Sequence, residues 1–303
     1  MTAETAPGPT ATQWLAGARP RTLPAACSPV IAGTGLAVFE HGASWLAALL
    51  AQVVSLALQV GVNYANDYSD GIRGTDTARV GPQRLVGSGL APPPLVKRAA
   101  FVSFGIACLA GLALVIMTQH WWLLAVGVAC VLAAWYYTGG KHPYGYVGLG
   151  EVFVFVFFGL VAVCGTAYVQ VGRVSIATLL TGVWVGALAC AILVANNLRD
   201  IRGDQQVGKR TVATRLGDSR TRALYVILAV LSALLIIIGA LVTTWWALLG
   251  LVGLILIIPA IRVVMSGAGG LALIGVLKAT GLAELACSIG FAAGLLLATL
   301  WLA

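Results

Sequence analysis

Apolar runs of about 20 residues recur along almost the whole of this chain, and a run of that length can cross the hydrocarbon core of a bilayer as a helix. The composition agrees: 60% of the 303 residues are hydrophobic and 9% are charged, against roughly 25% charged in soluble domains. Spans are expected at about 23–39, 44–66, 95–117, 121–138, 147–170, 175–198, 221–241, 245–262 and 277–302. The expected fold is all-α: a multi-pass bundle of nine transmembrane helices forming one domain over 14–303, behind a disordered tail at 1–13. That tail lacks the basic start and apolar run of a signal peptide. Six cysteines are scattered through apolar segments with no C-x-x-C pair, so they read as small core residues.

The net charge of +8 does not mark a nucleic-acid binder, because the basic residues are distributed as loop charges. With nine spans, the N-terminal segment and the loops after even-numbered spans carry 17 of the 18 Lys and Arg residues, and Arg173 alone falls on the other side. The positive-inside rule then places the N-terminus in the cytoplasm and the C-terminus outside, and the expected location is the plasma membrane.

Two polar stretches interrupt the apolar pattern. One runs from Asn63 to Asp76, the other from Ala195 to Asp204. Aligned, they share Ala-Asn-x-x-x-Asp, then Ile-Arg-Gly, then Asp, with Asn196 and Asp200 each 130 residues beyond Asn66 and Asp70. Five of the chain's ten acids (Asp67, Asp70, Asp76, Asp200, Asp204) lie here, and charge beside hydrocarbon is costly enough to imply function. Both stretches fall at the cytoplasmic ends of even spans, 2 and 6. Asn66 and Asp70, Asn196 and Asp200, and Asp200 and Asp204 are spaced i, i+4, so each pair shares a helix face. Asp and Asn offer hard oxygen donors suited to Mg²⁺, which keeps positions open for phosphates. The interleaved Arg73, Arg199, Arg202, Lys209 and Arg210 would complete a diphosphate clamp. Asp67 points about 100° from Asn66 and could instead hold an Arg or a loop amide.

These residues carry a family resemblance. Asn66-Asp67-Tyr68-Ser69-Asp70 and Asp200-Ile201-Arg202-Gly203-Asp204 resemble the two Asp-rich motifs of the UbiA superfamily of intramembrane prenyltransferases. Four more stretches resemble the members of that superfamily that prenylate 1,4-dihydroxy-2-naphthoate: Ala18–Ala25, Asp70–Asp76, Gly81–Gly89, and Tyr136–Gly140 leading into Gly148–Phe153. The resemblance implies a bundle of nine helices that transfers a polyprenyl group from its diphosphate to the naphthoate, with loss of CO₂ and diphosphate. It implies Mg²⁺ held by Asn66, Asp70, Asp200 and Asp204. Asp67 and Asp76 would join Asp70, Asp200 and Asp204 in catalysis. Diphosphate contacts are expected from Asn63, Arg73, Asn196, Lys209 and Arg210. Glu151 is a candidate base for the naphthol hydroxyl, and Arg21, Lys141, Lys278 and Tyr137 are candidates for holding the acceptor. Two alternatives stay open on the sequence: the same chemistry on another aromatic acceptor, such as 4-hydroxybenzoate, homogentisate or a heme or chlorophyll precursor, and a cation transporter built on the pseudo-repeat.

Overall fold

The computed structural model describes residues 8–74 and 84–302, and among them all regular secondary structure is helical. In order the helices are α1 (Ala11–Gly17), α2 (Leu23–Phe39), α3 (Trp45–Arg73), α4 (Pro93–Thr118), α5 (Leu123–Tyr136), α6 (Gly150–Val171), α7 (Ile176–Gln206), α8 (Val212–Val242), α9 (Trp245–Met265) and α10 (Ala272–Leu302). Eight segments are long and apolar enough to cross a membrane, with Ala11–Phe39 counted as one, so this is a multi-pass membrane protein. The expected count of nine becomes eight plus α5, whose 14 residues extend only about 21 Å.

The helices that carry the polar stretches outrun the bilayer. At 29 residues α3 is about 44 Å long, against a hydrocarbon core of about 30 Å. Its start is capped by the Ser44 hydroxyl, which accepts from the Ala47 amide, and it stops only at Gly74, whose φ of 70° is left-handed. The first polar stretch is therefore helical through Arg73 rather than a loop beginning after residue 66. The 31 residues of α7 likewise carry the second stretch in helix. The long loop expected over 199–220 shrinks to residues 207–211. Side-chain bonds within the turn support this extension: Arg199 donates back to Asn196 and forward to Asp200. Gly71 and Gly203 stay helical and only Gly74 ends its helix. A Cβ at Gly71 would meet Val86 Cγ1 at 2.4 Å, so this glycine lets the segment 84–91 lie against α3.

The chain is ordered earlier than expected. Thr10 and Gln13 form a reciprocal capping box, so α1 begins at Ala11, inside the segment read as a disordered tail. It lies on α3, with the Tyr64 hydroxyl donating to the Trp14 carbonyl at 2.9 Å.

The core sits around α7, where Trp184, Val185, Leu188, Ala191 and Val194 are buried against α2, α8, α9 and α10. Helices α9 and α10 approach each other closely. Residues Trp245–Ile257 form a 3₁₀ helix, which is slimmer than an α-helix, and its backbone meets glycines of α10. A Cβ at Gly294 would lie 2.0 Å from the Trp246 carbonyl oxygen, and one at Gly253 would lie 2.2 Å from the Cys287 nitrogen. Small residues allow such approach between membrane helices. Gly294→Ala is expected to destabilise the folded protein by about 1–3 kcal/mol, read as a lower midpoint of SDS-induced unfolding. Gly275→Ala, which meets nothing within 4 Å, should leave the midpoint in place.

A further departure from regular helix occurs in α6, where Phe155–Val161 is a π-helix. Its wider turn brings Phe157, Phe158 and Val161 onto one cavity wall. Gly159 lets this segment lie close against α7, since a Cβ there would sit 2.5 Å from the Gly182 carbonyl oxygen.

Candidate active site

The helices enclose a cavity of about 1400 Å³ that is polar at the end formed by the two Asp-rich stretches and apolar along α4, α5 and α6. Asn63, Asn66 and Asp70 of α3 line it, as do Asn196, Asp200 and Asp204 of α7 and Lys209 of the connection to α8. The two pseudo-repeated stretches thus face one space, as two long helices that overshoot the bilayer at the same end can arrange.

Asp70 is engaged from several sides. The Tyr146 hydroxyl donates to its Oδ1 at 2.6 Å. Lys209 Nζ stands 3.7 Å from the same oxygen and Arg84 Nη2 stands 3.8 Å from Oδ2. Three connecting segments therefore meet on one buried carboxylate. Asn66 Oδ1 accepts from the Thr138 hydroxyl at 2.7 Å. On α7, Arg199 grips Asp200 with Nε and Nη2 at 2.7 and 2.6 Å and gives Nη2 to Asn196 Oδ1 at 2.9 Å. Lys209 also lies 4.3 Å from the centre of the Tyr146 ring.

Several expected site residues stand elsewhere. Asp67 turns away from the cavity: its Oδ2 accepts from the Leu85 amide at 2.8 Å and its Oδ1 from the Val86 amide at 3.0 Å. This is the loop-amide alternative, and it follows from the 100° step between consecutive helical residues. Arg73 spends its guanidinium on the carbonyls of Thr138 and Gly140, which clamps the chain after α5 rather than lining the cavity. Arg210 is exposed, and its amide donates to the Tyr146 carbonyl. Arg21, Lys141 and Lys278 are exposed and off the cavity wall. Asp76 lies outside the described residues. Glu151 faces a separate small groove of about 280 Å³ between α6, α7 and α8. Its Oε1 accepts from Asn197 Nδ2 at 2.9 Å, and Asn197 does line the main cavity.

Tyr137, a candidate for holding the acceptor, lines the cavity. Burial, reinforced by the negative charge of Glu151, Asp70 and Asp204, holds its phenol well above the usual range, so it remains a neutral donor. Burial does the same to Tyr144, whose hydroxyl donates to the Ala133 carbonyl at 2.7 Å. Tyr137, Tyr144, Phe153 and Phe157 form a chain of rings with centroid separations of 5.5, 3.9 and 5.9 Å. This aromatic wall runs from the polar end into the apolar part of the cavity. By contrast Tyr64, Tyr68 and Tyr136 are not on it.

Sequence reasoning missed Arg19, Arg84, Thr138 and Tyr146, all cavity residues. Arg19 and Arg84 lie within stretches already notable in the sequence, but their direction depends on turns. Arg19 is left-handed, with φ 53° and ψ 70°, immediately before Pro20, a placement that costs about 1–3 kcal/mol.

The donor set fits Mg²⁺ in kind. Asn66, Asp70, Asp200 and Asp204 present oxygens to one space from two helices. Among the described residues no three His, Cys, Asp or Glu side chains gather as a closed metal cage. Mg²⁺ usually takes one or two carboxylates and completes its shell with water and substrate phosphates, which an open two-sided site permits.

Comparison with known proteins places this geometry in context. The model of the UbiA prenyltransferase family matches residues 26–269. The chain is 54% identical over 283 residues to a 1,4-dihydroxy-2-naphthoate octaprenyltransferase of Mycobacterium tuberculosis, covering 93% of this chain and 96% of that one. It is 41% identical over 215 residues to the Escherichia coli protein of the same name, covering 69% and 70%. Among solved structures, a UbiA homolog from Aeropyrum pernix superposes with a TM-score of 0.66 at 18% identity, covering 90% of this chain and 97% of that one. A UbiA homolog from Archaeoglobus fulgidus bound to GPP and Mg²⁺ gives 0.62 at 15% identity, covering 91% and 99%. These two likenesses bear on the fold.

Proposed function

The chain belongs to the UbiA prenyltransferase family, and on that premise we propose that it transfers a polyprenyl group from its diphosphate to 1,4-dihydroxy-2-naphthoate, releasing diphosphate and CO₂ and forming a demethylmenaquinol, the reduced form of the quinone. The observation that carries this reading is the identity of 54% over 93% of the chain with a relative of that named activity. The cavity suits the chemistry, because its polar end matches a diphosphate and its apolar length matches a prenyl tail.

Asn66, Asp70, Asp200 and Asp204 would hold Mg²⁺, which when bound offsets charge on the diphosphate and eases its departure. Lys209, Arg84, Arg199 and Arg202 stand around the same end and would bind diphosphate oxygens. The allylic C–O bond breaks with its electron pair leaving on the diphosphate. The prenyl carbon, now cationic in character, lies along the wall of Tyr137, Tyr144, Phe153 and Phe157, whose ring faces favour a cation. A ring carbon of the naphthoate attacks it. The carboxylate then leaves as CO₂ and its bonding pair returns to the ring. The apolar walls keep out water that would otherwise capture the cation. Glu151 acts through Asn197, holding that amide at the cavity wall, so its role is positioning rather than direct proton abstraction. The N-terminus and the polar mouth face the cytoplasm of a plasma-membrane protein, as the Lys and Arg distribution supports.

Purified protein in detergent, given labelled polyprenyl diphosphate and a panel of aromatic acids, is expected to form product with dihydroxynaphthoate when Mg²⁺ is present and none when EDTA is added. Product with 4-hydroxybenzoate or homogentisate in its place would move the acceptor assignment. Ion flux in liposomes without any product would sink the enzyme reading.

A further inference from the structure

We infer that Arg19 holds the carboxylate of the aromatic acceptor, an inference that rests on the prenyl-transfer reading and gives that substrate its own subsite. The reaction brings two anions into one cavity, a diphosphate and an aromatic carboxylate. They need separate cationic partners. The α7 side already supplies Arg199, Arg202 and Lys209. On the opposite wall, Arg84 stands beside Asp70, and the α1–α2 turn adds Arg19.

The guanidinium of Arg19 differs from its neighbours in what it bonds. Arg199 is committed to Asp200 and Asn196. Arg222 is committed to Asp218 and the Val264 carbonyl. Arg19 lines the cavity, yet its Nη2 is buried and has no hydrogen-bond partner among the described residues. A guanidinium cannot relieve this by losing its proton, and a buried donor left unbonded is costly. Its planar fork matches a carboxylate with two parallel bonds.

The residue is also held in place from behind. Asn63 Nδ2 donates to the Ala18 carbonyl at 2.8 Å and to the Thr22 hydroxyl at 3.0 Å. Gln59 Nε2 donates to the same hydroxyl at 3.0 Å, and that hydroxyl donates to the Arg19 carbonyl at 3.0 Å. The turn is thus fixed by α3 side chains, and Thr22, Gln59 and Asn63 all line the cavity beside Arg19. Asn63, expected from the sequence to touch the diphosphate, instead buttresses the acceptor side. Arg21, two residues on, points out to solvent, so the left-handed φ of Arg19 decides which of the two arginines serves the cavity.

The test compares wild type, Arg19→Gln and Arg19→Lys in detergent by steady-state kinetics and by equilibrium binding of 1-hydroxy-2-naphthoate and of 1-naphthol, which lacks the carboxylate. Arg19→Gln is expected to raise KM for dihydroxynaphthoate by about 10- to 100-fold, to leave KM for the prenyl diphosphate unchanged, and to abolish the preference for the carboxylate ligand over naphthol. Arg19→Lys keeps the charge without the fork and should fall between, which also serves if the Gln protein fails to fold. An unchanged acceptor KM and ligand preference in a folded variant would overturn the inference. So would a rise in the prenyl diphosphate KM with the carboxylate preference intact, which would assign Arg19 to the diphosphate. Absence of product from wild type with dihydroxynaphthoate would instead remove the proposed reaction, while the binding preference would still decide the role of Arg19.

Discussion

Replacing Asp200 with Asn is expected to lower turnover by about 10²- to 10³-fold while the protein stays folded in the membrane. The carboxylate lies on the cavity wall of α7, one helical turn from Asp204, and faces Asn66 and Asp70 of α3 across the polar end. Asn keeps the shape and one oxygen able to accept from Arg199, but removes the negative charge that would hold Mg²⁺. It also releases the arginine from a bidentate pair in which its side chain is only 3% exposed. Asn in place of Ala matters here, because stripping the whole acid from a buried arginine risks about 3–5 kcal/mol of stability. Steady-state rates over a Mg²⁺ titration check the idea. A variant with full turnover, or one whose loss tracks unfolding, would remove Asp200 from the metal site.

Asp67→Ala is expected to lose both stability and activity, by a different route. Its carboxylate is 1% exposed and accepts from two consecutive amides, those of Leu85 and Val86. Removing it leaves two donors without their charged acceptor, worth together about 3–5 kcal/mol. The same segment brings Arg84 to within 3.8 Å of Asp70, so the site is disturbed as the segment loosens. Faster proteolysis between residues 84 and 91 and an earlier unfolding midpoint should accompany the loss of turnover. A variant that loses turnover with proteolysis and midpoint unchanged would show that Asp67 acts on substrate directly. The pair of variants therefore separates two kinds of acid: Asp200 stands in the cavity and Asp67 ties down its rim.

Much of this was legible in the chain. Apolar runs long enough to cross a bilayer determine an all-helical membrane bundle, because hydrocarbon offers no partner to an unpaired backbone group. The i, i+4 spacing of Asn66 with Asp70 and of Asn196 with Asp200 determines which side chains can act together, since helical geometry is local. The same periodicity singled out Asp67 as the residue facing elsewhere. The motifs carried the family and, through it, the reaction class.

What the tertiary structure decided was direction and partnership across distance. Helices α3 and α7 run beyond the bilayer, so the polar stretches are helix as far as Arg73 and Gln206, and the connection after α7 is only residues 207–211. Tyr146 reaches Asp70 across 76 residues of chain and Thr138 reaches Asn66 across 72. Basic residues that look alike in the sequence divide sharply in space: Arg73 clamps a turn, Arg210, Arg21, Lys141 and Lys278 lie off the cavity, and Arg19 and Arg84 line it. A long cationic side chain serves whichever carbonyl, carboxylate or cavity its backbone turn presents to it. That turn is fixed here by contacts between helices, such as Asn63 on the Ala18 carbonyl, and no local spacing encodes them.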